Sequence, residues 1–255
     1  MILNSKILGD SDESLIILHG LFGSLDNWYS IAKELSFSFQ VHIIDQRNHG
    51  KSFHDNNHNY DLMSNDLYNY IQHHEIKDPI ILGHSMGGKT AMAFSFHHPN
   101  SLKKLIIIDI APKKYINNYH SLISNLIKIN NANLNSRKKA QLNLEDEKID
   151  NQTIQFLLKN LFWKDEKLQF RFNINAIENS IEELMNFNYL DNTWSGACFF
   201  IRGSESNYIL DSDKNLIKKY FLNSKLFTIA KANHWVHFDQ REQFLVELKK
   251  ILINK

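Results

Sequence analysis

A serine flanked by glycines directly follows an apolar run in this chain. Residues 83–87 read GHSMG, and the apolar residues 80–82 precede them. A Gly-x-Ser-x-Gly sequence between a buried strand and a helix predicts a nucleophile elbow, a sharp strained turn that exposes the serine hydroxyl. Serine between glycines also occurs in ordinary turns, so the segment alone leaves both interpretations open. The chemistry that it offers is nucleophilic attack by Ser85.

A nucleophilic serine needs a nearby base, because its hydroxyl is almost fully protonated at neutral pH. Among the 13 histidines, His234 is best placed, since it follows the last predicted strand and precedes the final predicted helix. A loop histidine taken alone is usually a surface residue. The order serine, acid, histidine along a chain is that of a large class of hydrolases, and we therefore predict that His234 is the base.

A third feature would stabilise the negative charge of the reaction. Residues 19–23 read HGLFG and end a predicted strand at 15–18. A turn there can direct the backbone N–H of Leu21 at a substrate carbonyl oxygen, and the N–H of Met86 can point at the same atom. Taken alone, His-Gly after a strand would be a plain turn. Together with the serine and the histidine it predicts an oxyanion hole.

The elements that must position these residues alternate along the chain. Short apolar runs predict buried strands at 15–18, 41–44, 80–82, 105–108, 197–201 and 226–229. Helical spacing predicts helices between them at 28–35, 62–71, 90–97, 216–221 and 244–253. Strand and helix in alternation predict an α/β fold, with a mostly parallel central sheet flanked by helices on both faces.

One interval breaks the alternation. Between about residues 112 and 192 no strand is predicted, whereas 119–129, 153–161 and 174–185 have helical spacing. This interval is too long for an ordinary connection between two strands. We therefore predict an inserted helical cap at 113–192, which divides the core into a first part at 1–112 and a second part at 193–255.

Composition narrows the class of partner and the compartment. The 29 basic and 28 acidic residues nearly cancel, which argues against nucleic acid or an acidic membrane surface and favours a small molecule. The first residues lack the apolar core of a signal peptide, and no apolar run approaches a membrane span. We expect a soluble cytoplasmic protein with no stable membrane association, and a buried structural thiol at the single cysteine, Cys198.

Several stretches together are more specific than any motif alone. They are HGLFGSLDNW (19–28), DQRNHGKS (45–52), GHSMGGK (83–89), DIAP (109–112), RFN (171–173) and HWVH (234–237). In these the chain resembles the small YbfF-type esterases of the α/β-hydrolase superfamily. The resemblance runs from about residue 15 to 239 and is weakest between 113 and 169. It implies the α/β-hydrolase fold, hydrolysis of acyl esters and no cofactor.

The acid that orients the histidine is the least obvious residue. Many relatives carry an aspartate three residues after a glycine that follows the strand before the last, and this chain has Ser206 there. The resemblance implies Asp109 instead, at the carboxyl end of the strand next to the one that carries Ser85. Glu205 is a rival with a longer reach, and Asp109 could also merely bond the following turn. We predict Asp109.

Aromatic residues are candidates for the wall of an acyl pocket. Phe22 and Trp28 are tied to the oxyanion turn, and we predict that they contact the substrate. Phe156, Trp163 and Phe187 could also wall the pocket beneath the cap, but an aromatic at helical spacing more often belongs to the core.

Other polar clusters are assigned no role in the chemistry. Residues 47–49 read RNH, and we predict a loop scaffold beside the site, with substrate contact as the alternative. The histidine pairs 73–74 and 97–98 lack the i, i+4 spacing of a shared metal-ligand face, so no metal site is predicted. No phosphate-binding loop is present either.

The leading hypothesis is a serine hydrolase that cleaves carboxylic esters or acyl thioesters through an acyl-enzyme. In it Ser85 attacks, His234 transfers the proton, Asp109 stabilises the charged ring, and Leu21 and Met86 hold the oxyanion. Carbon–carbon bond hydrolysis and perhydrolysis with the same triad stay open, because a fold does not fix a reaction. So does an inactive ligand-binding protein. The sequence predicts neither the acyl length nor the oligomeric state.

Overall fold

The computed structural model describes residues 1–132, 134, 136–145 and 149–253. Its strands are β1 (Ser5–Leu8), β2 (Ser14–Leu18), β3 (Gln40–Ile44), β4 (Ile80–His84), β5 (Lys104–Ile108), β6 (Leu161–Lys164), β7 (Lys167–Phe170), β8 (Ala197–Gly203) and β9 (Ser224–Ile229). Its α-helices are α1 (Tyr29–Leu35), α2 (Tyr60–His73), α3 (Met86–His97), α4 (His120–Asn131), α5 (Arg137–Glu145), α6 (Asn151–Lys159), α7 (Ile174–Met185), α8 (Lys214–Tyr220), α9 (Val236–Asp239) and α10 (Arg241–Ile253). None of these described helices combines the length and the apolarity needed to span a bilayer.

The central sheet has seven strands in the order β1-β3-β2-β4-β5-β8-β9. All neighbours pair in parallel except β1, which runs antiparallel to β3. The predicted mostly parallel sheet is therefore confirmed. The prediction omitted β1, because Ser5–Leu8 is a short, partly exposed edge strand without a continuous apolar run.

Side chains of the parallel strands alternate between two apolar layers. One layer packs Ile16, Ile81 and Ile107 against helices α2, α3 and α8. The other packs Ile17, Leu82 and other inward residues against α1 and α10. Burial on both faces explains why these strands are nearly continuous apolar runs. Parallel pairing brings the carboxyl ends of β2, β3, β4 and β5 to the same end of the sheet.

The chain between β5 and β8 holds helices α4 to α7, which pack around an apolar cluster that also includes Phe22. The prediction that this interval contains no strand is wrong, because β6 and β7 form an antiparallel hairpin. Its two turn residues, Asp165 and Glu166, have φ of 47° and 62°. A turn with both φ positive usually carries Asn-Gly or Asp-Gly, and the pair Asp-Glu gave no such signal.

The proposed division of the chain at 112/113 and 192/193 stays a prediction. Residues 133, 135 and 146–148 of the predicted cap lie outside the described residues. Tyr119, which directly precedes α4, and Phe156, which lies in α6, nevertheless border a cavity that Ser85 also borders. The interval therefore contributes to the wall of a cavity beside Ser85.

Candidate active site

Ser85 lies in a sharp turn between β4 and α3. Its φ of 53° and ψ of −118° lie outside the helical and extended regions, and its N–H donates to the Ile108 carbonyl oxygen at 3.0 Å. A Cβ atom at Gly83 would lie 2.2 Å from the Gly87 carbonyl oxygen, so the turn requires glycine at that position. The structure thus forms the elbow that the GHSMG segment predicts, and Ser85 remains partly exposed.

Asp109 is hydrogen-bonded to His234. The His234 Nδ1 atom donates to Asp109 Oδ2 at 2.8 Å, and the carboxylate is completely buried. The Gly203 N–H donates to the other oxygen, Oδ1, at 3.2 Å. The rival acid, Glu205, is exposed on the surface. The strand order brings this about, because β5 and β8 are neighbours and the loop after β9 carries the histidine.

Ser206 occupies the position at which many relatives carry the acid. Here its hydroxyl donates to Asp109 Oδ2, the oxygen that also accepts from His234. Hydrogen bonds to a carboxylate stabilise its charged form. The serine therefore helps to hold the carboxylate of Asp109, the predicted acid, a contact that the sequence analysis did not foresee.

Two aromatic residues hold the ring and the backbone of His234. The Tyr208 ring stacks on the His234 ring, with centroids 3.6 Å apart and planes 15° apart. His84 Nε2 donates to the His234 carbonyl oxygen at 2.9 Å. Sequence reasoning missed both contacts. His84 is part of the serine motif and could have been considered, whereas nothing local marks Tyr208.

His49 is hydrogen-bonded to the backbone of the predicted oxyanion turn at 19–23. The Gly23 N–H donates to the Gly20 carbonyl oxygen at 3.0 Å, and the Phe22 N–H donates to His49 Nε2 at 3.2 Å. Phe22 has a φ of 60°, a value that a non-glycine residue seldom adopts. Leu21 borders the same cavities as Ser85, while the Met86 amide is the first of α3, where N–H groups have no acceptor within the helix.

The histidines packed around this site are buried and uncharged at neutral pH. Desolvation lowers the pKa of His49 and of His84 well below the ordinary value, and it lowers the pKa of His237 to about 3. A neutral imidazole can donate at one nitrogen and accept at the other. His49 does both, because its Nδ1 donates to the Arg47 carbonyl oxygen at 3.0 Å while its Nε2 accepts from Phe22.

Residues 47–49 form a scaffold, in agreement with the prediction. Arg47 is paired through two nitrogens with the buried carboxylate of Asp66, at 2.5 Å and 2.9 Å. The Asn48 carbonyl oxygen accepts from the Asn173 N–H at 2.8 Å. These side chains are buried, so they fix the loop after β3 and the start of α7.

Two cavities meet at Ser85. The smaller, of about 210 Å³, is bordered by Ser85, His234, Phe22, Trp28 and Phe156. The larger, of about 530 Å³, is bordered by Ser85 together with Met86, Lys89, Tyr115, Leu184 and Met185. The predicted substrate residues Phe22 and Trp28 therefore lie at a cavity that also holds the serine and the histidine.

The other predicted aromatic residues are divided between the cavity and the rest of the protein. Phe156 contacts Trp235 edge-on at the cavity, with centroids 4.1 Å apart. Trp163 is 54% exposed on the β6–β7 hairpin, because the hairpin turns it outward. Phe187 packs against Tyr220 in the core. Neither Trp163 nor Phe187 borders the two cavities at Ser85, and for Phe187 the core position that the sequence favoured is observed.

Metal ligation has no candidate in the part of the chain that the structure describes. Within those residues no three His, Cys, Asp or Glu side chains are grouped to hold an ion. Cys198 is fully buried in β8, and burial raises the pKa of its thiol.

The buried side chain of His58 makes the free energy of unfolding depend on pH. The ring is 1% exposed, its nitrogens have no hydrogen-bond partner among the described residues, and burial lowers its pKa to about 3. Below about pH 6.5 the unfolded chain binds a proton here that the folded chain does not, so the free energy of unfolding falls as pH falls, by about 1.4 kcal/mol per pH unit from this group.

Replacing His58 by leucine should remove that contribution. In urea unfolding at several pH values between about 7 and 5, the free energy of unfolding of His58→Leu should decline less steeply than that of the parent. Far-ultraviolet circular dichroism at neutral pH serves as the control for folding. Parallel pH profiles in the two proteins would contradict the neutral state of His58.

Comparison with known proteins gives matches over nearly the whole chain. A profile of the alpha/beta hydrolase fold family matches residues 13–240. The solved structure of a marine microorganism esterase superposes with a TM-score of 0.93 at 41% identity, covering 98% of this chain and 99% of that one.

Curated relatives include the sn-1-specific diacylglycerol lipase ABHD11 of Danio rerio, 36% identical over 245 residues, which are 93% of this chain and 77% of that one. Esterase YbfF of Escherichia coli is 28% identical over 243 residues, covering 95% of this chain and 94% of that one. The chain is thus similar, along nearly its full length, to proteins named for ester cleavage.

Proposed function

The chain belongs to the alpha/beta hydrolase fold family, and on that premise we propose that it is a carboxylic ester hydrolase with Ser85 as its nucleophile. The observation that carries the proposal is the hydrogen bond from His234 to the buried Asp109, at a cavity that Ser85 also borders. A base held by a carboxylate next to an exposed elbow serine is the arrangement of serine hydrolases.

The reaction follows from this arrangement. His234 takes the proton of Ser85 as the oxygen attacks the carbonyl carbon, and the N–H groups of Leu21 and Met86 bind the oxyanion that forms. When the tetrahedral intermediate collapses, His234 gives the proton to the leaving alcohol. A water molecule, activated by the same histidine, then releases the acid from the acyl-enzyme. Asp109 stabilises the charged imidazole in both steps.

Esters are preferred over the other reactions that this triad supports. The similar proteins are named as an esterase and as a diacylglycerol lipase, which favours an acyl ester as the substrate. An acyl thioester would react by the same steps, with a thiol as the leaving group. An inactive binding protein would need none of the bonds that Asp109 makes, and here Gly203, Ser206 and His234 all donate to it.

A substrate series tests the proposal. Purified protein is assayed with aryl esters of increasing acyl length, with acyl-coenzyme A thioesters and with a diketone that only a carbon–carbon hydrolase cleaves. We expect release of carboxylic acid from esters, and covalent labelling of the protein by a fluorophosphonate. Cleavage of the diketone without cleavage of esters would favour the carbon–carbon reaction. A folded protein that is neither labelled nor active on any ester would contradict the proposed function.

A further inference from the structure

Lys89 lies one helical turn after Ser85 and is almost entirely buried. Its N–H donates to the Ser85 carbonyl oxygen at 3.1 Å, and the residue is 1% exposed. Its Nζ atom donates to three carbonyl oxygens, those of Leu184 at 3.2 Å, Met185 at 3.0 Å and Asn186 at 2.8 Å. The steps of the proposed reaction leave this lysine without a role.

These carbonyl groups belong to the carboxyl end of α7. The last carbonyls of a helix have no N–H partner within the helix, and the helix dipole favours a cation there. An ammonium group has three N–H donors, which equals the number of carbonyls that Lys89 reaches. The lysine therefore joins the serine-bearing helix to the last helix of the interval between β5 and β8.

Helix α7 is held to the core at both of its ends. At its start, the Asn173 side chain donates to Asn48 Oδ1 at 3.2 Å. At its carboxyl end, the Tyr60 hydroxyl donates to the Leu184 carbonyl oxygen at 2.7 Å. Lys89 donates to the same carbonyl oxygen and to the two that follow, so it makes the larger share of the contacts at this end.

The position of this helix end determines part of the wall of the larger cavity. Leu184 and Met185 border that cavity together with Ser85 and Met86. Leu184 also packs in one apolar cluster with Met86 and Tyr60. A displaced α7 would therefore reshape the wall of the larger cavity, which Leu184 and Met185 form beside the serine.

The ammonium group of Lys89 is costly to bury at this position. Burial lowers the pKa of Lys89 to about 7, which reflects the cost of desolvating its ammonium. The Nζ atom lies 5.6 Å from the centroid of the Tyr60 ring and 5.0 Å from that of the Tyr115 ring. An apolar side chain of similar length would fit between these rings. Loss of the ammonium group would leave three carbonyl oxygens at the end of α7 with one donor fewer, which lowers stability, so a further role for Lys89 needs a readout other than stability.

We propose that Lys89 is a positioning residue that fixes the carboxyl end of α7 and thereby sets the affinity for substrates that extend into the larger cavity. This inference rests on the proposed ester hydrolysis. It assigns to the lysine of the GHSMGGK stretch a function in substrate selection, exerted through Leu184 and Met185.

The variant Lys89→Met tests it through the substrates. For the longest ester that the parent accepts, the KM should rise roughly tenfold with kcat within about twofold, because binding is weakened while the triad is untouched. For a short acetate ester, both constants should stay within about twofold of the parent. Hydrogen exchange should also become faster in peptides that cover residues 180–189, a readout that needs no activity.

Lys104 provides a matched control. It too is buried, and its Nζ donates to the carbonyl oxygens of Ile251 at 2.6 Å and Leu252 at 3.2 Å, at the end of α10. It is the first residue of β5, whereas Ser85 follows the last residue of the neighbouring strand β4. The two residues therefore lie at opposite ends of the parallel strands. Lys104→Met removes the same kind of contact, and it should leave the ratio of KM values for long and short esters unchanged.

The outcomes separate this inference from its premise. Unchanged KM ratio and unchanged exchange in Lys89→Met would overturn it, and so would an equal change of the KM ratio in Lys104→Met. If Lys89→Met does not fold, Lys89→Gln, which keeps an N–H donor, should still raise the KM for the long ester above that of the parent, and a parental KM there would equally overturn it. A parent that hydrolyses no ester would refute the proposed function, while the exchange experiment would still report on α7.

Discussion

Replacing Ser85 by alanine should lower the turnover of a carboxylic ester by several orders of magnitude and leave the fold intact. The variant removes the atom that forms the acyl-enzyme, and loss of the nucleophile in a serine protease costs on the order of a millionfold in kcat. Alanine can occupy the elbow with the same strain as serine, because both have a Cβ atom. Measuring kcat on an activated ester, together with the thermal midpoint, checks the prediction.

Ser95→Ala is the matched control for this experiment. Ser95 lies in α3, the helix that follows Ser85, is completely buried and donates to the Met92 carbonyl oxygen at 2.7 Å. It should retain parental turnover and fluorophosphonate labelling, whereas Ser85→Ala should lose both. Comparable kcat in Ser85→Ala and the parent would exclude Ser85 as the nucleophile.

The central strands could be predicted because burial on both faces leaves a simple pattern. In β5 no residue from Leu105 to Ile108 is accessible to solvent. Such a continuous apolar run is typical of a parallel strand that is buried on both faces. Strand β1 and the β6–β7 hairpin lack this pattern. Both are short and partly exposed. Strand β1 forms by pairing with β3, which is distant in sequence, and the hairpin forms around a turn without glycine.

Among the described residues, four of the nine non-glycine residues with positive φ follow the strands that carry the candidate site. Phe22, Asn48, Ser85 and Asp109 are not glycines, yet their φ values are 60°, 64°, 53° and 50°. Each follows one of the central strands β2, β3, β4 and β5. Such conformations cost about 1 to 3 kcal/mol each and persist where the surroundings over-determine them. Sequence patterns that rely on glycine to mark positive φ cannot find these positions.

The residues predicted for the chemistry could be found because each follows the carboxyl end of a strand in the same sheet. Ser85 and Asp109 follow neighbouring parallel strands, and topology alone brings them together. Tyr208 on His234, and Ser206 on Asp109, could not be found in this way. These contacts join loops about 25 and 100 residues apart, and they depend on side-chain directions that only the folded structure fixes.

Asp109→Asn should lower kcat/KM for an activated ester by roughly a thousandfold or more, by analogy with the serine-protease triad. The amide keeps the shape of the side chain but cannot stabilise the charged His234 ring. It also disturbs a set of donors, because Gly203, Ser206 and His234 all donate to the carboxylate, and an amide has only one oxygen to accept them. One donor would then face the NH₂ group.

Glu205→Gln is the control that decides between the two acids. Glu205 is exposed, so its loss of charge should change kcat/KM by less than about twofold. Thermal midpoints of both variants must be compared first, because a buried carboxylate with three donors also contributes to stability. A severe loss in Glu205→Gln with a mild effect in Asp109→Asn would reverse the assignment. It would require the loop after β8 to swing Glu205 inward, away from the surface position that it occupies in this structure.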